Sequence, residues 1–337
     1  MHPDSARELK ARLSRRLTAG PSPVVSAQDL PDEGWSGVAL GLTPVGHGQV
    51  HLAVRLITEA DAARVLRSLG RTTRSEVDVR VIGPVHLLST PPVAPADARR
   101  FEPDELRARA RPVRPGGSVG HPAVSAGTLG GFVRVPGRPG LHLLSNNHVL
   151  ACSDAAAVGD PVVQPGTADG GVPGDRVATL SAFHRFNAHG ASLVDAAVAA
   201  LDDGVEGDPG DYPEGPLAAG VALPADIDPD ELVEKVGRTT GHTAGRITAV
   251  EVDGVGVQYD SGVHTFDDQI EIEGLTGPFS AGGDSGSVIW QSRDRVPIGL
   301  LFAGSSTGGS AGGGVTFANP LATVMSTLGV EWVSTRP

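Results

Sequence analysis

Cysteine, lysine and aromatic residues are scarce in this sequence of 337 residues. Cys152 is the single cysteine, so no disulfide can form within the chain. Lysine occurs only as Lys10 and Lys235 among 27 basic residues, which we interpret as the codon bias of a GC-rich genome. Without disulfides, the chain is typical of proteins that fold in a reducing compartment.

Long apolar runs are also missing. Residues 1–8 contain no apolar segment that could act as a signal peptide, and no stretch has the length and apolarity of a membrane span. Together with the missing disulfides, this predicts a cytoplasmic protein. The net charge of −12 argues against nucleic acid or an anionic membrane surface as a partner.

Glycine and proline, by contrast, are abundant, with 46 and 27 residues, while aromatic residues make up 4% of the chain. This composition indicates many short strands joined by tight turns rather than a helical bundle. The length suffices for two or three domains. We divide the chain into an N-terminal helix with its connection, a small α/β domain, a Pro/Arg-rich linker and two barrels, with the ranges 1–35, 36–90, 91–117, 118–228 and 229–337.

The region before the barrels carries structural signals only. Residues 5–17 have the capping pattern and leucine spacing of an amphipathic helix. Residues 51–57 and 77–82 are predicted strands, with a helix that begins at Thr58 between them. No catalytic set of side chains occurs here, so we expect a packing, regulatory or targeting role, including contact with a regulatory partner. The arginine-rich linker at 91–117 is typical of solvated surface, and the alternatives are a processing site or a docking site for an acidic partner.

From residue 118 to about residue 330, short apolar runs alternate with glycine-rich turns. Residues 129–135 and 141–145, for example, form a predicted hairpin around a turn rich in proline and glycine. This pattern favours two small antiparallel barrels over alternating strands and helices. The predicted fold class is therefore mainly β, with a small α/β unit at the N-terminus.

The segment from Gly282 to Ser287, with the sequence GGDSGS, contains the strongest chemical signal. A serine between glycines suggests an exposed nucleophile, here Ser285, whose neighbouring backbone N–H groups are free to bind a developing negative charge. A serine hydroxyl is a poor nucleophile until a positioned base takes its proton. The rest of the chain must therefore supply a histidine and a carboxylate that orients it.

Candidates for both partners precede the serine. His148 follows the predicted hairpin, where rigid structure would hold a general base. Asp195 lies in segment 193–201, which is a predicted apolar strand, and a buried carboxylate needs a charged or hydrogen-bonding partner. The order His148, Asp195, Ser285 is that of the chymotrypsin-type triad. No histidine follows Ser285, which excludes the order of the α/β-hydrolases.

These three segments resemble those of chymotrypsin-like serine peptidases of the trypsin superfamily. Residues 283–287 resemble the nucleophile loop, residues 147–149 the histidine segment of bacterial and viral members, and residues 194–198 the aspartate segment. Residues 236–247 are similar to the opening of the second barrel in streptomycete-type peptidases. The resemblance implies two antiparallel six-stranded β-barrels, the chymotrypsin-like double barrel.

The resemblance covers about residues 120–330. Residues 143–148 are also similar to intracellular trypsin-like proteins of bacteria and to the plant narrow-leaf type. The chain therefore resembles a disulfide-free bacterial intracellular serine peptidase with an extra N-terminal domain.

The resemblance also implies a role for each residue. Ser285 attacks the scissile carbonyl, His148 accepts and returns its proton, and Asp195 holds the imidazole. The N–H groups of Gly283 and Ser285 form the oxyanion hole. In the family, Asp284 typically pairs with a new N-terminus freed by cleavage. Because the barrels follow a long N-terminal region here, we expect either that Asp284 has another partner or that activation works differently.

Alignment with the family also indicates a substrate pocket. Phe279 falls where trypsin-like members carry the acid that binds arginine or lysine, and Ala303, Gly304 and Gly314 fall on the pocket walls. Nothing acidic lines this pocket, so we expect cleavage of proteins or peptides after small or medium apolar residues. No cluster has metal-ligand spacing and no glycine-rich loop joins a strand to a helix, so we predict neither a metal nor a cofactor.

Three functions stay open at this point. The first is a serine endopeptidase that works through an acyl-enzyme. The second is a catalytically silent peptidase fold that serves as a binding or scaffold module, and the third is an esterase with the same triad. The complete set of His148, Asp195 and Ser285 favours the endopeptidase.

Overall fold

The structure is a computed structural model, and it describes residues 1–18, 37–61, 65, 75–87, 101–310 and 313–336. The described α-helices are α1 (Pro3–Thr18), α2 (Pro103–Arg107), α3 (Asn147–Leu150) and α4 (Leu321–Leu328), and short 3-10 helices span Thr167–Asp169, Pro173–Asp175 and Pro224–Asp226. The strands are β1 (Val38–Pro44), β2 (Val50–Leu56), β3 (Val77–Val81), β4 (Val85–His86), β5 (Ser118–Val119), β6 (Gly127–Thr128), β7 (Gly131–Arg134), β8 (His142–Ser145), β9 (Pro161–Val163), β10 (Arg176–Phe183), β11 (Ala197–Leu201), β12 (Leu232–Gly237), β13 (Gly241–Asp253), β14 (Val255–Tyr259), β15 (Gly262–Phe266), β16 (Gln269–Gly274), β17 (Val288–Gln291), β18 (Pro297–Gly308), β19 (Gly314–Pro320) and β20 (Glu331–Trp332).

Six of the C-terminal strands form a closed ring. Going around it, β12 pairs with β13, β13 with β16, β16 with β19, β19 with β18, β18 with β17, and β17 with β12 again. Every one of these pairings is antiparallel. Alternate side chains of the ring point inward, and Ile247, Ile272, Ile289 and Leu301 are among those that pack its core.

A second antiparallel sheet precedes this ring in the chain, in the order β20-β7-β8-β11-β10-β9. The β5–β6 hairpin closes it, since Gly120 bridges to Val163 of β9 and the N–H of Gly130 donates to the carbonyl of Leu144 in β8. Its core includes the fully buried Phe132 and Leu143. The predicted mainly β, chymotrypsin-like double barrel is thereby confirmed.

The N-terminal unit continues the sheet of the second barrel. The predicted strands at 51–57 and 77–82 are β2 and β3, and they are parallel, as a β-α-β unit requires. The sequence did not reveal β1, which lies between β2 and β13 and is antiparallel to both. Most of the helix predicted after Thr58 lies outside the described residues. Helix α1 buries Leu9 and Leu13 against this sheet.

A buried ion pair joins this unit to the second barrel. Arg55 of β2 contacts Glu271 of β16 with 2.7 Å between Nε and Oε2, and both side chains are inaccessible to solvent. Arg55 also reaches Asp78 of β3, with 3.0 Å between Nη2 and Oδ2. A buried charge without its partner is costly, so this pair favours a state in which both parts are folded against each other.

Because of the carboxylates in this network, the stability of the folded protein should depend on pH in the acidic range. Burial works against ionisation of Asp78, but Arg55 and Arg80 outweigh it and hold the pKa of this carboxyl below its usual value. Such a group contributes stability above its unfolded pKa of about 4 and loses that contribution as the pH falls through the folded pKa. We therefore expect the midpoint of thermal unfolding to drop as the pH is lowered below about 4.

Calorimetry over this range should show a shallower drop for Asp78→Asn, which has no carboxyl to titrate at this position. Wild type and variant with the same slope would contradict the role of Asp78.

Part of the predicted linker packs on the barrels. Residues 88–100 lie outside the described part of the chain. Phe101 and Leu106 are buried in a cluster that contains residues of both barrels, and Val113 is buried in the core of the first barrel. Arg114 is also largely covered and contacts Glu105 at 2.8 Å. Within the described residues, no helix has the length and apolarity needed to cross a membrane.

Candidate active site

Ser285 lies in the turn between β16 and β17 and is only 5% exposed. Gly283 and Gly286 on either side of it have φ values of +93° and +97°, a region that favours glycine. There is also no room for larger residues, because a Cβ on Gly286 would lie 2.1 Å from Ser145 Oγ. One on Gly283 would lie 2.2 Å from Arg238 Nη1. The two glycines therefore fix the backbone on which Ser285 is presented.

The carbonyl groups of this turn accept hydrogen bonds from neighbouring residues. Thr128 of the first barrel donates from Oγ1 to the carbonyl of Gly283 at 2.8 Å, and its N–H donates to the carbonyl of Ser285 at 2.8 Å. Thr239 donates from Oγ1 to the carbonyl of Gly282 at 2.6 Å. The N–H groups of Gly283 and Ser285 donate to no acceptor in the described part of the chain. Two free backbone donors thus lie beside the Ser285 side chain.

His148 and Asp195 form a hydrogen-bonded pair at the start of α3. The distance between His148 Nδ1 and Asp195 Oδ2 is 2.6 Å, and the His148 backbone N–H donates to Oδ1 at 3.1 Å. Asp195 is fully buried, while 8% of His148 is exposed. Because an ionised carboxylate only accepts, Nδ1 carries the proton and Nε2 is left free to take another. Asp195 lies just before β11 rather than within the strand that the sequence predicted.

The backbone of Asp195 is held by two asparagines. Its N–H donates to Asn319 Oδ1 at 2.9 Å, and its carbonyl accepts from Asn146 Nδ2 at 2.7 Å. Asn319 is itself oriented, since its Nδ2 donates to Gln269 Oε1 at 2.6 Å. These bonds leave the Asp195 carboxylate little freedom to turn away from His148.

Tyr259 of β14 is a contact of this pair that the sequence analysis missed. Its hydroxyl donates to Asp195 Oδ2 at 2.8 Å, and its ring lies 6.1 Å from that of His148 in an edge-on arrangement. Burial and the neighbouring Asp195 raise the pKa of Tyr259 well above its usual value, so the phenol keeps its proton as a donor. A tyrosine in an apolar strand gives no sequence signal for such a role.

The Ser285 hydroxyl forms its hydrogen bond with strand β18. It donates to the carbonyl of Phe302 in β18 at 3.3 Å, and not to the His148 imidazole. Gly127 contacts both the helix that carries His148 and the turn that carries Ser285, since a Cβ there would lie 2.4 Å from Val149 Cγ2 and 3.1 Å from the Ser285 carbonyl oxygen. A proton could therefore pass from Ser285 to His148 only after the Ser285 side chain rotates, a change that substrate binding commonly brings about in enzymes.

Asp284, next to Ser285, has its partner within the chain. Lys235 of β12 lies with Nζ 3.5 Å from Asp284 Oδ2, and both side chains are inaccessible to solvent. The same carboxylate accepts from the N–H groups of Thr239 and Ala281 at 2.8 and 2.9 Å, and from Thr240 Oγ1 at 2.7 Å. Burial lowers the pKa of Lys235, and Asp284 partly offsets this effect.

The residues predicted for the pocket lie in different surroundings. Phe279 is 1% exposed and packs with Ile247 and Ile272, so its ring lies in the core of the second barrel, 5.9 Å from Lys235 Nζ.

Ala303 and Gly304 lie on β18, opposite residues of β19, and Gly314 begins β19. Near Gly304, Ser280 Oγ and Thr316 Oγ1 are 2.7 Å apart. In the described part of the chain, no group of three or more His, Cys, Asp or Glu residues could hold a metal ion.

No protein-family model and no curated protein matches this sequence. Among solved structures, the chain is similar to protease A of Thermobifida fusca, with 17% identity, a TM-score of 0.45 and coverage of 67% of this chain and 100% of that one. It is also similar to a glutamic acid specific serine protease, with 20% identity, a TM-score of 0.47 and coverage of 66% and 100%. A third similar structure is a chymotrypsin of Cellulomonas bogoriensis, with 20% identity, a TM-score of 0.45 and coverage of 66% of this chain and 99% of that one. Likeness at this level assigns no activity, so what the site can do follows from its own residues.

Proposed function

We propose that this protein is a serine endopeptidase that acts through His148, Asp195 and Ser285. The observation that carries the proposal is the buried His148–Asp195 pair, 2.6 Å apart, beside a serine turn with two free backbone donors. A buried carboxylate that orients an imidazole, a nearby hydroxyl and preorganised N–H groups are the parts that acyl transfer needs.

In the proposed reaction, Ser285 Oγ forms a bond to the substrate carbonyl carbon while its proton passes to His148 Nε2. The N–H groups of Gly283 and Ser285 bind the oxygen that becomes negative. His148 then returns the proton to the leaving amine, the carbon–nitrogen bond breaks, and an acyl-enzyme remains. Water, activated by His148, releases the acid. Asp195 holds the imidazole throughout and stabilises its protonated form.

We further propose that cleavage occurs after small or medium apolar residues. Support comes from the residues near Gly304, which present no acid to a substrate side chain. The hydroxyl groups of Ser280 and Thr316 bond to each other, and the Phe279 ring lies in the core. The substrates are then proteins or peptides in the cytoplasm. The net charge of −12 argues against nucleic acid or an anionic membrane as a partner.

The proposal is tested with a fluorophosphonate probe, which reacts only with an activated serine. Labelling of the wild type but not of Ser285→Ala supports the enzyme, and no labelling of either supports a silent scaffold. Proteomic identification of cleaved bonds, with the Ser285→Ala protein as control, then separates peptide from ester hydrolysis and defines the substrate residues.

Replacing Tyr259 should reduce turnover without preventing folding. The Tyr259→Phe variant removes one hydrogen bond to the charged Asp195, so we expect kcat to fall roughly tenfold to a hundredfold with little change in KM. Because the group acts through Asp195 on His148, the pH dependence of kcat should shift as well.

The chain offers a matched control in its other tyrosine. Tyr212 is equally buried, but its hydroxyl donates to the carbonyl of Gly130 and not to a residue of the triad. Tyr212→Phe should keep the wild-type kcat and pH profile. A purely structural role for Tyr259 would be shown if both variants lost the same activity and kept the same pH profile.

A further inference from the structure

The pairing of β18 changes along the edge that faces Ser285. Strand β19 pairs with one edge of β18 from Gly299 to Gly308. On the other edge, β17 pairs with β18 as far as Leu300. Gly304 is paired with His86 of β4, and because β19 already occupies the first edge there, β4 lies on the same edge as β17. A segment of the N-terminal unit therefore reaches the strand beside the nucleophile.

Between β17 and β4, no strand of the described part of the chain pairs with a short stretch of this edge. Leu301 is bonded through both backbone groups to the nucleophile turn. Neither β17 nor β4 pairs with Phe302 or Ala303 on this edge. The Phe302 carbonyl accepts a hydrogen bond from Ser285 Oγ at 3.3 Å. A strand advances about 3.3 Å per residue, so this stretch accommodates about two residues of an extended peptide.

The direction of a bound peptide follows from its neighbours. Both β4 and β17 are antiparallel to β18. An extended peptide commonly binds by adding a strand to an open sheet edge, and antiparallel pairing is the more frequent kind. Such a peptide would have its carboxyl end toward Ser285 and its amino end toward β4. Residues upstream of the cut thus extend toward Gly304, whose outer edge is already paired.

Strand β4 is held firmly at this position. It lies between β18 and β14, pairing with β14 in parallel. Val85 is 6% exposed and packs in the same cluster as Phe302. Just upstream, Thr307 Oγ1 donates to the carbonyl of Ile82 at 2.9 Å. Strand β4 ends at His86, and the chain bends at Leu87.

We propose that β4 limits substrate recognition to two residues on the amino side of the cut. This inference rests on the proposed peptidase function of Ser285. A peptide with more upstream residues must leave the edge of β18 at Gly304, and those residues form no backbone hydrogen bonds there. The favoured substrates are peptides cleaved close to their amino end, or at a bend that begins two residues before the cut.

The test compares acetyl-Ala-Leu-p-nitroanilide with acetyl-Ala-Ala-Ala-Leu-p-nitroanilide. In the wild type, kcat/KM for the two should agree within about twofold, since extra residues gain no hydrogen bonds. Val85→Asp places a charge at a buried position of β4 and should free the edge. The longer substrate should then be favoured roughly tenfold, the effect of about two added hydrogen bonds. Val158→Asp, at a site that is 62% exposed, is the control and should behave as the wild type.

Two further measurements keep the test decisive. Thr307→Val removes only the bond to Ile82, so it covers the case in which Val85→Asp does not fold, and it should raise the length preference by a smaller factor. Calorimetric binding of the corresponding peptide amides to Ser285→Ala needs no catalysis. If neither substrate is cleaved, the proposed peptidase function is refuted. Equal affinity of Ser285→Ala for the two amides would in that case still support the length limit.

The limit is refuted by a wild type that prefers the longer peptide tenfold, in hydrolysis or in binding. It is also refuted if well-folded β4 variants show no length dependence.

Discussion

Ser285→Ala is expected to lower kcat for an apolar peptide substrate by roughly 10⁵-fold to 10⁶-fold. The variant has no oxygen to attack the carbonyl, and neither His148 nor the free N–H groups of the turn can replace it. What remains is the modest rate increase that binding and the oxyanion donors provide. Folding should be unaffected, because the hydroxyl makes one long bond of 3.3 Å to Phe302.

The measurement is steady-state hydrolysis with a leucine substrate, together with fluorophosphonate labelling. Ser334→Ala is a suitable control, since Ser334 donates to the carbonyl of Leu217 far from the triad. It should retain wild-type activity and labelling. Unchanged hydrolysis by a purified Ser285→Ala protein would show that another residue is the nucleophile.

Lys235→Met is expected to destabilise the protein by about 3–5 kcal/mol, because it leaves the buried Asp284 without a charged partner. The carboxylate also holds Thr239, Thr240 and Ala281, so its disturbance should displace the nucleophile turn. Activity and labelling should therefore fall together with the melting temperature. In this way a buried lysine would do within the chain what a new N-terminus does in the peptidases that the sequence resembles.

The second lysine of the chain is the matched control for this prediction. Lys10 contacts Asp253 with 2.6 Å between Nζ and Oδ2, but this pair lies near the surface, with 13% of the Lys10 side chain exposed. Lys10→Met should cost at most about 1 kcal/mol. The double variant Lys235→Met/Asp284→Asn should recover part of the lost stability, because no unpaired charge remains. Equal losses in the two lysine variants would argue against the role of Lys235.

Several features could be predicted because their causes lie close together in the chain. The glycines around Ser285 signal a turn with positive φ, and the structure has that turn. Alternating apolar residues placed β7 and β8 to within a few residues, and with them the position of His148. The β1 strand was missed because Gly41 and Pro44 interrupt its pattern, and only its pairing with β2 and β13 makes it a strand.

Other features depend on residues that are distant in sequence. Tyr259 contacts Asp195 only because the β14–β15 hairpin is folded over the cleft. Lys235 looked like an ordinary charged residue until the barrel buried it beside Asp284. His86 faces Gly304 because a strand of the N-terminal unit enters the sheet of the second barrel. Propensity and spacing do not encode such pairings.

The order of His148, Asp195 and Ser285 and the mainly β character could be read directly from the amino acids, since residue type, local backbone preference and hydrophobic period are properties of short segments. The tertiary structure alone established which side chain orients Asp195, which cation neutralises Asp284, and how much of the β18 edge beside the nucleophile is left unpaired by the described strands. These depend on burial and strand pairing, whose free energies arise only when distant segments meet.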